Sequence, residues 1–190
     1  VVPKRGYDLH GIENILWHVE ILRQFRLPAV VSINRYAEDS ERDLAALREA
    51  CLAAGVDAVI TDYRERGGEG GLELAEKVAA LCAEPPRPIE FLYPLDMTLI
   101  DKARTIARRV YGAADVEVTS EARKTIRQIE NLGYGNLPVC MAKTPFSLTD
   151  NPKITGCPSG FTITVTNAKV SAGAGFVVLL FFIGLLLVAG

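Results

Sequence analysis

Along residues 8–25 the apolar side chains recur at helical spacing, with Ile12, Ile15, Leu16, Val19 and Leu22 on one stripe. The pattern predicts an amphipathic helix, with Asp8 placed to cap its first turn. Pro28 then opens a β-branched run, PAVVSI, that reads as a buried parallel strand. Asn34, Arg35 and Tyr36 follow at its C-terminal end. Ser40 and Asp43 form a capping box for a helix that runs to about residue 54, where Gly55 supplies the stop. Residues 56–61, VDAVIT, make the next strand. Strand, helix, strand at this spacing is a βαβ unit with a right-handed crossover.

The segment DYRERGGEGG, residues 62–71, reads as a flexible charged loop leading into a helix over 72–83. Pro85, Pro86 and Pro88 interrupt the chain before Phe91-Leu92-Tyr93. Thr98 caps a helix that extends to Tyr111 and stops at Gly112, and a further helix over 120–132 stops at Gly133. Residues 138–142, PVCMA, read as a short buried strand with Cys140 packed inside it. After Lys143-Thr144 a polar loop rich in Pro and Gly extends to residue 160. Residues 161–170, FTITVTNAKV, alternate as a half-exposed strand does. The expected fold class is therefore α/β, a mostly parallel sheet built from βαβ units. The expected segments are 1–83, 84–175 and an apolar tail over 176–190. Ligands of open α/β sheets bind beyond the C-terminal strand ends, so residues 34–39, 62–71 and 143–160 are the expected ligand loops.

Composition changes this picture at one end. The 190 residues carry 21 basic and 23 acidic side chains, a balance that argues against a general nucleic-acid binder. Mean hydropathy is +0.18, yet residues 176–190 alone hold more summed hydropathy than the whole chain. The body is therefore slightly polar on average and the tail is intensely apolar. From Val170 to Gly190 no residue is charged, a stretch of roughly 31 Å as a helix, enough to cross a bilayer core. Three readings compete for it: a membrane anchor over 170–190, a buried strand and turn, or an unrelated segment in place of the natural end. The N-terminus shows no apolar signal-peptide core.

Candidate chemistry is sparse. Four cysteines without CxxC spacing and two histidines, His10 and His18, give no metal-ligand set. Cys140 has no histidine near it in sequence to activate it. The GGEGG run precedes a helix, so amides at Gly68 and Gly70 could cradle an anion; the bland alternative is a hinge. Lys143 could meet a phosphate or carboxylate, or simply face solvent. Tyr36 could stack on a planar ligand, or form the rim of the core. Neither GxxxxGK[ST] nor GxGxxG occurs.

Several stretches together resemble formate–tetrahydrofolate ligase: PAVVSINRY (28–36), RGGEGGLELAEKV (66–78), YGA (111–113), LGYGNLPVCMAKTPFSLTDNP (132–152), GCPSGFTITV (156–165) and SAGAGF (171–176). The resemblance implies a P-loop NTPase-like fold whose P-loop portion is missing here, so that the chain corresponds to a C-terminal fragment. It implies a cytoplasmic ligase of one-carbon metabolism that joins formate to N10 of tetrahydrofolate at the expense of ATP with magnesium. Formyl phosphate is the implied intermediate, and phosphoryl transfer of this kind needs clustered positive charge. The implied partners are formate, tetrahydrofolate and ATP, within a homo-oligomer, without nucleic acid. Alone, the chain is expected to be inactive.

The resemblance also implies a folate or nucleotide slot. Tyr36 stands where the family has the phenylalanine of an INRF motif, which stacks on folate. Arg64 stands where the family has a tryptophan forming the opposite wall, with Tyr63 beside it as an alternative ring. Asn34 and Ile60 are the further slot residues, and Lys143, Gly68 and Gly70 the anion contacts. The chain departs from the family elsewhere too. Pro145-Phe146 replaces Gln-Tyr, Cys157 replaces an arginine, and Thr166-Asn167 replaces Arg-Glu. These losses support an alternative reading, a non-catalytic relative that keeps the fold and is tethered through its tail.

Overall fold

A computed structural model describes residues 11–141, 148 and 156–181. The chain forms two compact units, Val1–Glu90 and Phe91–Gly190.

In the first unit, α1 (Ile12–Gln24) leads into β1 (Val30–Asn34), α2 (Glu41–Ala53) and β2 (Asp57–Thr61). Ser40 caps α2, its hydroxyl accepting from the Asp43 amide at 3.1 Å, and Gly55 leaves the helix at φ +73°. β1 and β2 pair in parallel, from Val30↔Asp57 to Asn34↔Thr61. One sheet face carries Ile33 and Ala58, which are buried with Val19 of α1 and with Leu44, Leu47 and Cys51 of α2. Burial raises the Cys51 thiol pKa, so this cysteine is an apolar packing group. Of the α1 stripe, Leu22 remains exposed at 39%. The helix starts at Ile12 with Gly11 before it, without a side-chain cap, and Asp8 lies outside the described residues. Arg23 bridges α1 to the end of α2, donating to the carbonyls of Ala54 and Gly55 at 2.9 and 3.0 Å. Ala54 is the C-cap residue of α2 and Gly55 follows it, so the guanidinium satisfies carbonyls where the helix ends. His18 is exposed on α1, yet partial desolvation lowers its imidazole pKa and so favours the neutral form at pH 7.

The segment expected to be a flexible loop is ordered. Asp62 caps a single turn, α3 (Tyr63–Arg66), its carboxylate accepting from the Glu65 amide at 3.3 Å. Gly67–Gly71 then form a tight turn that runs straight into α4 (Leu72–Ala83). Lys77 of α4 reaches Asp57 of β2 at 2.9 Å, and Glu73 reaches Arg48 of α2 at 3.3 Å. Both pairs are exposed and contribute little each.

The second unit holds a four-stranded sheet of order β3-β5-β6-β4, formed by β3 (Asp115–Val118), β4 (Val139–Met141), β5 (Thr162–Ser171) and β6 (Phe176–Phe181). The helices α5 (Leu99–Arg109) and α6 (Ser120–Ile129) accompany it, capped by Thr98 and Thr119. The chain leaves α6 through a wide turn at Glu130–Tyr134, with Gly133 at φ +89°.

Two expectations are refined here. Three of the four strand pairs are parallel, β1–β2, β3–β5 and β4–β6, but β5 and β6 are an antiparallel pair, so the second sheet is mixed. The first part of the supposed tail is that pair's second strand. Val177 and Leu179 are fully buried between two neighbouring strands, and Phe181 sets its ring edge-on to Tyr111 at 5.9 Å. Residues 182–190 lie outside the described residues, and among the described residues no helix is long and apolar enough to cross a membrane. An unbroken apolar run is what an interior strand requires, and periodicity does not separate it from a buried helix.

The alternation of β5 also slips. Ile163 and Val165 are buried, then Ala168, because the pairing with β6 shifts register between Val165 and Asn167. A bulge adds one residue to one strand and reverses which parity faces the core. β4 is an edge strand, so of its residues only Val139 is buried, while Cys140 faces outward. The packed role expected for Cys140 is thus not the observed one. Tyr93 closes that edge: its hydroxyl accepts from the Val139 amide at 3.0 Å and donates to the Val139 carbonyl at 3.4 Å.

Lys102 is fully buried on α5. Its ammonium donates to the carbonyls of Gly135 and Leu137 at 2.7 and 3.0 Å, pinning the segment that enters β4. Burial lowers its pKa, against the opposing pull of Asp96 and Glu130. Replacing it removes two donors from enclosed carbonyls. Lys102→Met is expected to lower unfolding free energy by about 1–3 kcal/mol, read from urea denaturation with an unchanged slope.

Asp115 opens β3. Its carboxylate accepts from the Val116 amide at 2.8 Å and meets Arg104 at 3.2 Å, and these interactions lower its pKa. A depressed carboxylate stabilises the fold above its ordinary pKa and ceases to do so as pH falls through the depressed one. Asp115→Asn should therefore be less stable than the parent at pH 7, with the difference shrinking toward pH 2 in parallel denaturation curves.

Candidate functional site

The site is built where β1 and β2 end side by side. Their last paired residues are Asn34 and Thr61, and the ladder continues one step further, the Arg35 amide donating to the Thr61 carbonyl at 2.8 Å. Tyr36 and Tyr63 each stand two residues beyond that pair. Parallel strands in register thus carry both rings to the same end of the sheet. Tyr36 is 45% exposed and Tyr63 49% exposed, a large apolar surface for solvent to wet.

Local hydrogen bonds fix the first ring's backbone. The Tyr36 amide donates to Asp39 Oδ2 at 2.7 Å, and the Asp39 amide returns to the Tyr36 carbonyl at 3.1 Å. Arg35 forms an ion pair with Glu41 in the first turn of α2. Such an aspartate turn stabilises a tight loop directly after a strand.

The second ring depends on glycine. The Asp62 amide donates to the Gly70 carbonyl at 3.0 Å, so the turn folds back on its own start. A Cβ at Gly70 would stand 2.0 Å from the Asp62 carbonyl oxygen, and one at Gly71 would stand 2.2 Å from the Tyr63 ring. Tyr63 thus lies against the bare backbone of Gly71. Gly67 adopts φ +55°, and nothing crowds Gly68. The glycines at 70 and 71 have a packing reason that is independent of any anion.

The sequence-derived residues fall into three groups. Asn34, Tyr36, Tyr63 and the exposed Arg64 gather at the strand ends, with Gly68 and Gly70 in the adjoining turn. Ile60 does not join Asn34. It pairs with Ile33 and packs with the α1–α2 core, because successive strand residues point to opposite faces. Lys143 lies outside the described residues, and the loop 143–160 belongs to the second unit. Thr61, buried to 1% exposure, lies at the same strand ends as the register partner of Asn34, and sequence reasoning did not single it out. A lone threonine in a strand carries no signal, but its pairing with Asn34 could have flagged it. Among the described residues no three His, Cys, Asp or Glu side chains converge to hold a metal.

These features define an α/β protein whose parallel strand ends present two aromatic rings, a carboxamide and a glycine turn. Residues 8–184 match the formate–tetrahydrofolate ligase family, and the chain belongs to it. The match covers most of both units.

The glycine geometry has a measurable consequence. Gly70→Ala forces backbone apart and should cost about 1–3 kcal/mol in chemical denaturation. Gly68→Ala, with open space around it, should stay within about 0.5 kcal/mol of the parent. Equal effects at the two positions would contradict the close approach.

Proposed function

We propose that the strand ends of the first unit form part of the slot that holds the planar ring of tetrahydrofolate, or of ATP, in an ATP-dependent, cytoplasmic formate–tetrahydrofolate ligase of one-carbon metabolism. The observation that carries this reading is the pair of half-exposed tyrosines at equal offsets beyond Asn34↔Thr61. A pterin or adenine ring is flat and weakly solvated on its faces, and an aromatic wall stabilises it by stacking. Arg64 offers a guanidinium plane for the same purpose and a positive charge for a phosphate or glutamate carboxylate.

The residues have separable roles in this reading. Tyr36 and Tyr63 bind and orient the ring and exclude water from its faces. Asn34 reads the ring's polar edge. The turn at Gly67–Gly71 leads directly into the N-terminus of α4, whose amides and dipole favour an anion. Phosphoryl transfer itself needs a phosphate-gripping loop, and residues 1–190 contain no GxxxxGK[ST] segment. Binding and turnover are therefore separable for this chain.

Calorimetric titration with tetrahydrofolate is expected to show binding by residues 1–190, while ADP release with formate and tetrahydrofolate stays at background. Tyr36→Ala should weaken binding by about 0.5–1.5 kcal/mol. Unchanged affinity would remove Tyr36 from the slot, and turnover by the chain would show that its phosphate site lies within these residues.

A further inference from the structure

Two glycines of the turn that leads into α4 are crowded, and by different neighbours. At Gly70 the three atoms nearest to an added Cβ are backbone, the oxygen, carbonyl carbon and Cα of Asp62, at 2.0, 2.4 and 3.1 Å. At Gly71 the three nearest belong to one side chain: Tyr63 Cε1 at 2.2 Å, with Cζ and the hydroxyl oxygen both at 2.9 Å. The path of the chain therefore requires the first glycine. It does not require the second. Gly71 has φ −118° and ψ 3°, outside the left-handed region that favours glycine. It also precedes the first residue of α4, a position where a side-chain oxygen would accept from an amide of the first turn, and α4 starts without such a cap. What the missing side chain makes room for is the Tyr63 ring.

That ring is not there for packing alone. A tyrosine whose gain is burial ends up buried, yet Tyr63 is half-exposed while Gly71 beneath it is buried. One side of the ring is lodged on the turn and the other is open to solvent. A side chain already held in place loses little rotamer freedom when a ligand is laid against it, so a lodged ring makes a better wall than a swinging one.

We propose that Gly71 is a positioning residue that acts through Tyr63. By carrying no side chain it lets the ring rest on the turn, with its open side toward the bound heterocycle. This rests on the ring-slot reading above. It deepens that reading by assigning one glycine of the turn to the ring, rather than to an anion or to the path of the backbone. A methyl group at position 71 would push the ring, and the wall with it, out of place.

The test is a double-mutant cycle in the full chain, read by calorimetric titration with tetrahydrofolate. Gly71→Ala should weaken binding about threefold to tenfold, as Tyr63→Ala should, because each removes a stacking wall. In the Tyr63→Ala background Gly71→Ala should change nothing further, since no ring is left to displace. A glycine needed only by the turn or by the start of α4 would lower affinity by the same factor in both backgrounds. Should Gly71→Ala alone fail to fold, Tyr63→Ala and the double variant, in which the crowding is relieved, still decide. Equal affinities of those two support the assignment, and a further loss in the double variant overturns it. Binding by the parent with Gly71→Ala unchanged, or with losses that multiply, overturns the positioning role alone. Tyr63→Ala binding as the parent does removes Tyr63 from the slot and the role of Gly71 with it. No binding by the parent overturns the slot and the positioning role together.

Discussion

Much of the first unit depends on a carbonyl that tolerates no side chain in front of it. The chain leaving β2 must turn, close on itself and start α4 within a few residues. It does so by bringing Gly70 against the Asp62 carbonyl, closer than any Cβ allows. That approach permits the Asp62–Gly70 hydrogen bond, sets the Tyr63 ring over Gly71 and fixes where α4 begins. The remaining site geometry is inherited from strand register. Once Asn34 and Thr61 are paired, the residues that follow them emerge at the same level, and no further interaction is needed to bring the two tyrosines to one end.

The parts of the fold legible in sequence are those where one local signal sufficed. Ser40 with Asp43, Thr98, Gly55 and Gly112 each punctuate a helix by a mechanism contained in a few residues. β1 and β2 declare themselves by β-branched runs between such punctuation marks. The segments that were misread need information from another strand. β3 has only four residues, too few for alternation to stand out. β6 is apolar throughout because both its edges and one face are covered, and the same letters spell a membrane helix. β5 alternates correctly up to its bulge, and the bulge exists only relative to β6. Cys140 was read from an apolar context, yet β4 ends the sheet, and only the strand order reveals that.

The candidate site shows the same division. Tyr36, Asn34 and Tyr63 were singled out because they end or follow strands, which is a one-dimensional fact. Ile60 is adjacent to Thr61 in sequence and therefore on the other face of the sheet. Thr61 was overlooked because its partners, Ser32 and Asn34, are remote in sequence and become neighbours only through register. Glycine runs are ambiguous for a related reason. The same letters suit an anion cradle and a steric necessity, and the distance from a virtual Cβ to a carbonyl separates the two.

The Tyr93 hydroxyl at the rim of β4 has a wider meaning. A sheet normally ends by exposing a row of unpaired backbone groups, which invites another strand to dock. Here a phenol occupies both the amide and the carbonyl of Val139, mimicking a neighbouring strand at a single rung. That rung is thus closed by a side chain from outside the sheet. An amide at the margin of the sheet should accordingly exchange with solvent as slowly as one nearer its middle.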